Sequence, residues 1–474
     1  MNPTAALSSE HLKKYVPWLV AIALFMEQLD ATIVNTAVPS MAQSLNVTPL
    51  SLKAVVASYI LSLAVFIPIS GWLADRYGTR RVFGSAVAIF TFASVLCGLA
   101  VNVPMLVAAR LLQGVGGAMM MPVGRLAILR TFPKDQLLTA MNFVIIPALI
   151  GPLLGPTVGG LIVHLFTWRD IFFINLPIGF FALYMIYRHM PDYYGEESRP
   201  LDTLGFVLFG VGTALLSWVL EVFGEHGSSM AEVGGLTVLA VLMLAGYWWH
   251  SQRIEYPLLR MGLFQTRTFR IAILGGFVTR LSIGGMPFLL PLLYQVGLGM
   301  PAWKSGMLMM PAALAAMSMK AIAKNVLTRF GYRRVLVWNT VLIGITISAF
   351  AMIDQQSPLW LIVMLGLCQG LFNSLQFSSM NSMAYADLPT SDVSMGSTIS
   401  SSFQQISMSF GLAMGSLTTA WFLNGISQSN QTAVTAAIHH ALIVLGILSM
   451  LSSVSFWGLH PNDGESVSKG VRRG

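Results

Sequence analysis

Apolar runs long enough to form membrane-crossing helices, about 20 residues each, recur along the chain from about residue 15 to residue 459, with short polar stretches between them. The runs fall near 15–38, 53–73, 82–101, 104–126, 138–163, 170–188, 204–223, 231–250, 269–296, 303–323, 334–353, 358–381, 395–423 and 436–459. Each predicts a transmembrane helix, because lipid offers backbone N–H and C=O groups no partner outside the helix itself. The reading is therefore an all-α polytopic membrane protein of fourteen spans. Run 395–423 gives the weakest signal, being rich in Ser, Thr and Gln. Polar stretches at 188–202 and 251–267 divide the series into six, two and six. This predicts a six-helix bundle over 1–190, two further helices with their connectors over 191–267, a second six-helix bundle over 268–460 and a tail over 461–474.

The basic residues between runs set the orientation, since Lys and Arg collect in cytoplasmic loops. With the N-terminus inside, the cytoplasmic ends hold Arg76, Arg80, Arg81, Arg130, Lys134, Arg253, Arg260, Arg267, Arg270, Lys320, Lys324, Arg329, Arg333 and Arg334. Only Lys53, Arg169 and Lys304 fall in the outer loops, and an even number of spans puts Lys469, Arg472 and Arg473 of the tail inside as well. His11, Lys13 and Lys14 precede the first run, which continues through Asp30 to Pro39 with no small-residue cleavage site. It reads as a retained span, not a cleaved signal peptide.

Composition agrees and excludes other classes. The chain is 55% hydrophobic and only 10% charged, against about 25% charged in soluble domains. Its net charge of +8 lies in short clusters between spans rather than on one phosphate-binding face, so nucleic acid is not a partner. The two cysteines, Cys97 and Cys368, sit inside apolar runs and make no disulfide framework. The sequence has no GxxxxGK[ST] loop for ATP, no HExxH and no metal-ligand pattern. Neither an enzyme nor a cofactor or metal is indicated, and an ion gradient remains as the energy source.

The two halves repeat each other. Arg76-Tyr-Gly-Thr-Arg-Arg-Val82 recurs as Arg329-Phe-Gly-Tyr-Arg-Arg-Val335, and Gln113-Gly114 recurs as Gln369-Gly370. Such duplication is the common build of secondary transporters, with substrate held where the repeats meet. The offset is longer than six spans need, and spans seven and eight account for the excess as an insertion. The copies differ in charge: Asp75 corresponds to Thr328, Gly71 to Lys324 and Arg110 to Gly366. The first half therefore holds the candidate coupling chemistry.

Gly71-Trp-Leu-Ala-Asp-Arg-Tyr-Gly-Thr-Arg-Arg81 resembles the loop signature of the major facilitator superfamily between spans two and three. Gly151-Pro-Leu-Leu-Gly-Pro-Thr-Val-Gly-Gly160 is similar to the antiporter motif of its drug exporters. Leu29-Asp-Ala-Thr-Ile-Val-Asn-Thr-Ala-Val-Pro39 resembles the first-span motif of the fourteen-span drug:proton antiporters, the EmrB/QacA type. Leu106 to Ala118, with Arg110, Gln113 and Gly114, matches the fourth-span motif. The resemblance implies a major facilitator fold of two six-helix bundles plus two inserted helices, with both termini cytoplasmic, in the plasma (inner) membrane. It also implies export of small hydrophobic or cationic compounds in exchange for protons. The partners it implies are a small-molecule substrate, protons and membrane lipid, with the monomer as the working unit. Transport of a single metabolite or lipid, or a membrane sensor that no longer transports, is the competing reading.

The same residues carry a physical reading. Glu27 and Asp30 stand three apart in span one and share a helix face. A carboxylate at that depth costs several kcal/mol unless it is paired, protonated or wet, which makes both candidates for proton coupling; Glu27 can also be a solvated acid near the cytoplasmic mouth. Arg110 stays charged and needs an acceptor such as an acid or a backbone carbonyl. Arg280, midway through span nine, is expected to face the cavity, which Gln113, Gln376 and Tyr294 are expected to line. Gly71 and Gly78 allow close helix approach and a tight turn, while Asp75, Arg76, Arg80 and Arg81 form charged contacts between the two bundles, a latch. Gly151, Gly155, Gly159 and Gly160 give span five a small-residue face for tight packing, and Pro152 and Pro156 kink it, sealing the cavity against proton leak. Spans seven and eight, with few polar residues besides Glu221, Glu225 and Glu232 at their outer edge, are expected away from the cavity.

Overall fold

The computed structural model describes residues 9–133, 136–195, 200–222, 230–389, 392–423, 426, 428 and 430–464. The described residues form helices and no strand. The long helices are α1 Ser9–Ser44, α2 Lys53–Tyr77, α3 Thr79–Gly98, α4 Val103–Thr131, α5 Leu137–Leu165, α6 Asn175–His189, α7 Thr203–Val222 and α8 Met230–Ser251. They continue with α9 Arg267–Ile283, α10 Ala302–Phe330, α11 Tyr332–Ala349, α12 Leu359–Tyr385, α13 Val393–Leu423 and α14 Gln431–Ser452. Among the described residues, 14 helical segments are long and apolar enough to cross a membrane, span 13 included. The ninth crossing bends at Gly284–Gly285, where a Cβ on Gly284 would lie 2.7 Å from the Met408 carbonyl oxygen of α13, and resumes as Met286–Leu292. Lys53 is no outer-loop residue: it is the first residue of α2 and is buried.

In the first half α5 packs along α1, and α4 packs against α2 and α3. The second half repeats this with α13 against α9, and α12 against α10 and α11. The halves meet where α5 lies on α10 and where α2 lies on α13. Away from the basic loops a single hydrophobic cluster joins both halves, through Val38, Met41 and Leu52 on one side and Met286, Leu289 and Leu442 on the other. Gln295 adds a hydrogen bond to the Thr36 carbonyl at 2.9 Å.

The repeat is visible in the backbone. Gly78 ends α2 and precedes α3 with φ 91°, and Gly331 ends α10 and precedes α11 with φ 78°. This left-handed region is open to glycine at little cost. Both basic motifs thus turn the chain in the same way.

The inserted helices lie on one side of this frame. α7 packs on both α2 and α13, across the seam of the halves, and α8 packs on α7. Only 11% of the span in α8 is buried, and Val238, Val241, Leu242 and Trp249 form an exposed apolar face. Asp202, just before α7, accepts hydrogen bonds from the backbone N–H groups of Gly205 (2.7 Å) and Leu258 (3.0 Å) and lies 2.8 Å from His250. The ends of α7 and α8 are thereby held together. Of the three expected outer glutamates, Glu225 lies outside the described residues, and among their side chains only that of Glu232 is described, as exposed.

Candidate transport site

Asp30, fully buried in α1, accepts three side-chain hydrogen bonds. Arg110 of α4 donates from Nη1 to Oδ2 at 2.6 Å, while Gln113 Nε2 and Asn175 Nδ2 donate to Oδ1 at 2.9 and 2.7 Å. The same Arg110 nitrogen reaches Gln113 Oε1 at 2.6 Å, and its Nε donates to the Val55 carbonyl at 3.4 Å. Ser94 of α3 accepts from Gln113 (2.9 Å) and Asn175 (3.2 Å), and the Arg110 guanidinium lies 4.2 Å from the Tyr59 ring centroid. Four helices thus build one polar knot inside an apolar bundle. Arg110 and Gln113 can act together because three positions along a helix bring side chains to one face.

Of this knot, Asp30, Arg110 and Gln113 were legible in the sequence; Asn175 and Ser94 were not singled out. Asn175 carried a usable signal, a lone amide within the run 170–188, since polar groups at that depth need partners. Ser94 carried none, because serines are frequent in spans that bond only to their own helix, as Ser379 does to Leu375. Cys97 packs beside the knot, its Sγ 3.7 Å from Gln113 Oε1, so it is a core residue.

Other expectations are corrected. Glu27 is not a solvated acid at the mouth: it is 5% exposed, and among the described residues it has no hydrogen-bond or ionic partner. Arg280 does not face open space, being 2% exposed and closed in between α9 and α12. Gln376 does not line a cavity but bonds to Asn339 and Thr340 of α11 at 2.8 and 2.7 Å. Gln113 is consumed by the knot, and Tyr294 is buried in the outer cluster.

In the loop motif the ion pairs of Asp75, Arg80 and Arg81 lie within their own half. Asp75 pairs with Arg130 of α4 at 2.7 Å, and Asp192, just beyond α6, lies 3.9 Å from Arg80 and 3.8 Å from Arg81. Residues 191–195 strap over the turn, with Thr79 N–H donating to the Tyr193 carbonyl and Gly195 N–H to the Asp75 carbonyl, both at 2.9 Å. Gly78 fits its expected role, but a Cβ on Gly71 would meet nothing within 4 Å, so this glycine makes no close helix approach. With Arg76 and Asp75 it lines a cavity of about 1230 Å³, whose far wall includes Arg260 and α13 at Ser394 and Thr398. This cavity lies on the basic side, at the seam between the halves. With Asp75 45% exposed, its ion pair contributes at most about 1 kcal/mol to stability. We predict that Asp75→Asn leaves expression and membrane insertion unchanged yet slows transport several-fold. Unaltered initial rates in vesicles would show that the pair does not gate. Thr328, the counterpart, bonds only to carbonyls of its own helix, and its replacement should change little.

The glycine face of α5 is wedged between helices of both halves. Gly151, Gly155 and Gly159 rest on α1 at Gln28, Thr32 and Ile33, with the Ile33 carbonyl oxygen 2.7 Å from where a Cβ on Gly159 would lie. Gly160 meets the Ala302 carbonyl of α10, and Gly306 of α10 meets the Pro156 carbonyl. The helix runs unbroken through Pro147, Pro152 and Pro156. No room exists for a side chain: a Cβ on Gly155 would overlap Thr32 Oγ1. Overpacking of this kind costs about 1–3 kcal/mol. We predict that Gly155→Val lowers the unfolding temperature of the purified protein and raises passive proton leak in liposomes. A tight, fully stable variant would count against a sealing role.

A profile of the Major Facilitator Superfamily matches residues 20–324. The chain belongs to that superfamily. Relatives bearing the name multidrug resistance protein MdtD match along nearly the whole length of this major facilitator protein. The one from Serratia proteamaculans (strain 568) is 39% identical, covering 93% of this chain and 92% of its own. That from Cronobacter sakazakii (strain ATCC BAA-894) is 41% identical over 91% of each. Two solved structures share the fold: a D-xylose-proton symporter, with TM-score 0.69, 13% identity and coverage of 95% of this chain and 99% of its own, and the POT family transporter PepTSo, with TM-score 0.70, 15% identity and coverage of 94% and 97%. The protein is accordingly a multi-pass membrane transporter and not an enzyme.

Proposed function

We propose that this transporter exports small hydrophobic or cationic compounds across the plasma (inner) membrane in exchange for protons. The observation that carries the reading is the Asp30–Arg110 ion pair, buried in mid-span and fully hydrogen-bonded by Gln113 and Asn175. An acid and a base held together away from water resist separation while both are charged. Protonation of Asp30 cancels one charge and frees Arg110 to move with α4. A proton arriving there can thus shift the packing of α1 on α4, and its departure restores the pair. In this reading Glu27, one turn nearer the basic end, passes protons to Asp30. The names of the MdtD relatives support multidrug substrates.

The test uses the purified chain in proteoliposomes with a pH-sensitive dye and ethidium as the cargo. Antiport predicts that adding ethidium on one side moves protons toward that side, and that collapsing the pH gradient stops ethidium accumulation. Co-movement of ethidium and protons in one direction would make the protein a symporter. Ethidium binding without movement of either would favour a sensor.

A further inference from the structure

Arg280 is a buried charge with no ionic partner among the described residues. Its side chain is buried in the last turn of α9, yet among the described residues it makes no ion pair, and its Nε is left without a hydrogen-bond partner. Apart from the Tyr385 phenol at the end of α12, its neighbours are apolar: the Phe377 ring lies 5.1 Å away, and Met380 adjoins the same space. The side chain turns back along its own helix over Gly276, where an added Cβ would lie 2.7 Å from Nη1. A glycine thus makes the room the guanidinium occupies. Arg110, in the first half, receives its counter-charge from the protein, through Asp30. In the second half α9 has the arginine, but α12 offers no acid, and its Gln369, the counterpart of Gln113, has neither amide atom bonded. A buried guanidinium N–H without an acceptor is costly at that depth, and a planar fork of donors fits a carboxylate.

We propose that Arg280 recognises an anionic group, a carboxylate on an apolar body, carried by the transported compound. The inference rests on the reading of the chain as a small-molecule transporter and extends its substrates to organic anions. Phe377 and Met380 would supply the apolar wall for the body once α9 and α12 part, and Gly276 leaves the room that the guanidinium occupies until then.

Equilibrium binding to the full chain in nanodiscs, at one pH and with no gradient, separates this from proton coupling. The probes are 2-naphthoate, 2-naphthylmethanol and 2-naphthylmethylammonium, which share a ring and differ in charge. The wild type should bind naphthoate about tenfold or more tighter than the alcohol, the range of a charge-assisted hydrogen bond. Arg280→Met should remove that preference while leaving alcohol binding intact, Arg280→Lys should retain part of it, and Gly276→Ala should weaken naphthoate selectively by crowding the guanidinium. Equal affinities for the three probes in the wild type overturn the proposal, as does a preference that survives Arg280→Met. Should Arg280→Met fail to fold, Gly276→Ala and Arg280→Lys carry the test, and naphthoate binding unchanged in both refutes it. Rescue of Arg280→Met by a second change, Glu27→Gln, would identify Glu27 as the counter-charge and likewise refute it. Naphthoate binding that persists in a variant unable to couple to protons leaves this inference standing even if the exchange reading fails.

Discussion

Asp30→Asn should reduce pH-gradient-driven accumulation of substrate in proteoliposomes to the level of empty liposomes. The side chain keeps its size, so the effect does not come from a cavity. It comes from fixing the neutral form: asparagine cannot take up or release the proton that makes and breaks the Arg110 pair. Facilitated movement down a substrate gradient should largely survive, because that step needs no proton. Binding of a neutral compound should survive too, whereas a cation should bind more weakly. The substitution has a structural cost as well. Asp30 Oδ1 accepts from both Gln113 and Asn175, and Oδ2 from Arg110. An amide puts an N–H₂ group against one of these donors, and losing a hydrogen bond to a charged group costs about 1.5–3 kcal/mol. Unfolding measured beside transport separates the two effects. If the variant still concentrates substrate at the wild-type rate, protons travel elsewhere, and Glu27→Gln becomes the next substitution to measure.

Arg110→Ala is expected to be the most destabilising single change in the knot. It leaves the Asp30 carboxylate buried with two amide donors and no counter-charge, and it strips a partner from Gln113 Oε1 and the Val55 carbonyl. Removing one member of a buried pair costs about 3–5 kcal/mol. A marked fall in unfolding temperature in detergent should accompany the loss of transport, unlike the more selective defect of Asp30→Asn. The double variant Asp30→Asn with Arg110→Ala decides whether the pair is the reason. With both charges gone, stability should return toward that of Asp30→Asn alone. Strictly additive losses would mean that Arg110 is required for packing against Tyr59 and not as the partner of Asp30.

The sequence alone determined the number of crossings, since twenty apolar residues in lipid have few alternatives to a helix. It also determined the duplicated turn at Gly78 and Gly331, because a positive φ between two helices calls for glycine, and it singled out Asp30, Arg110 and Gln113, because polar groups are conspicuous in apolar runs. Tertiary structure decided what each of these touches. Spacing along one helix cannot tell that Asp30 faces Arg110 from α4 and Asn175 from α6, as these positions lie 80 and 145 residues away. For the same reason Asp75 looked like a contact between halves until Arg130 and residues 191–195 were seen to surround it. Gln376, read as a cavity residue, turned instead to α11, and Glu27 and Arg280 proved to be buried with no ionic partner among the described residues. A charge in an apolar run announces that something must answer it; only the packing of helices across the bundle shows what does.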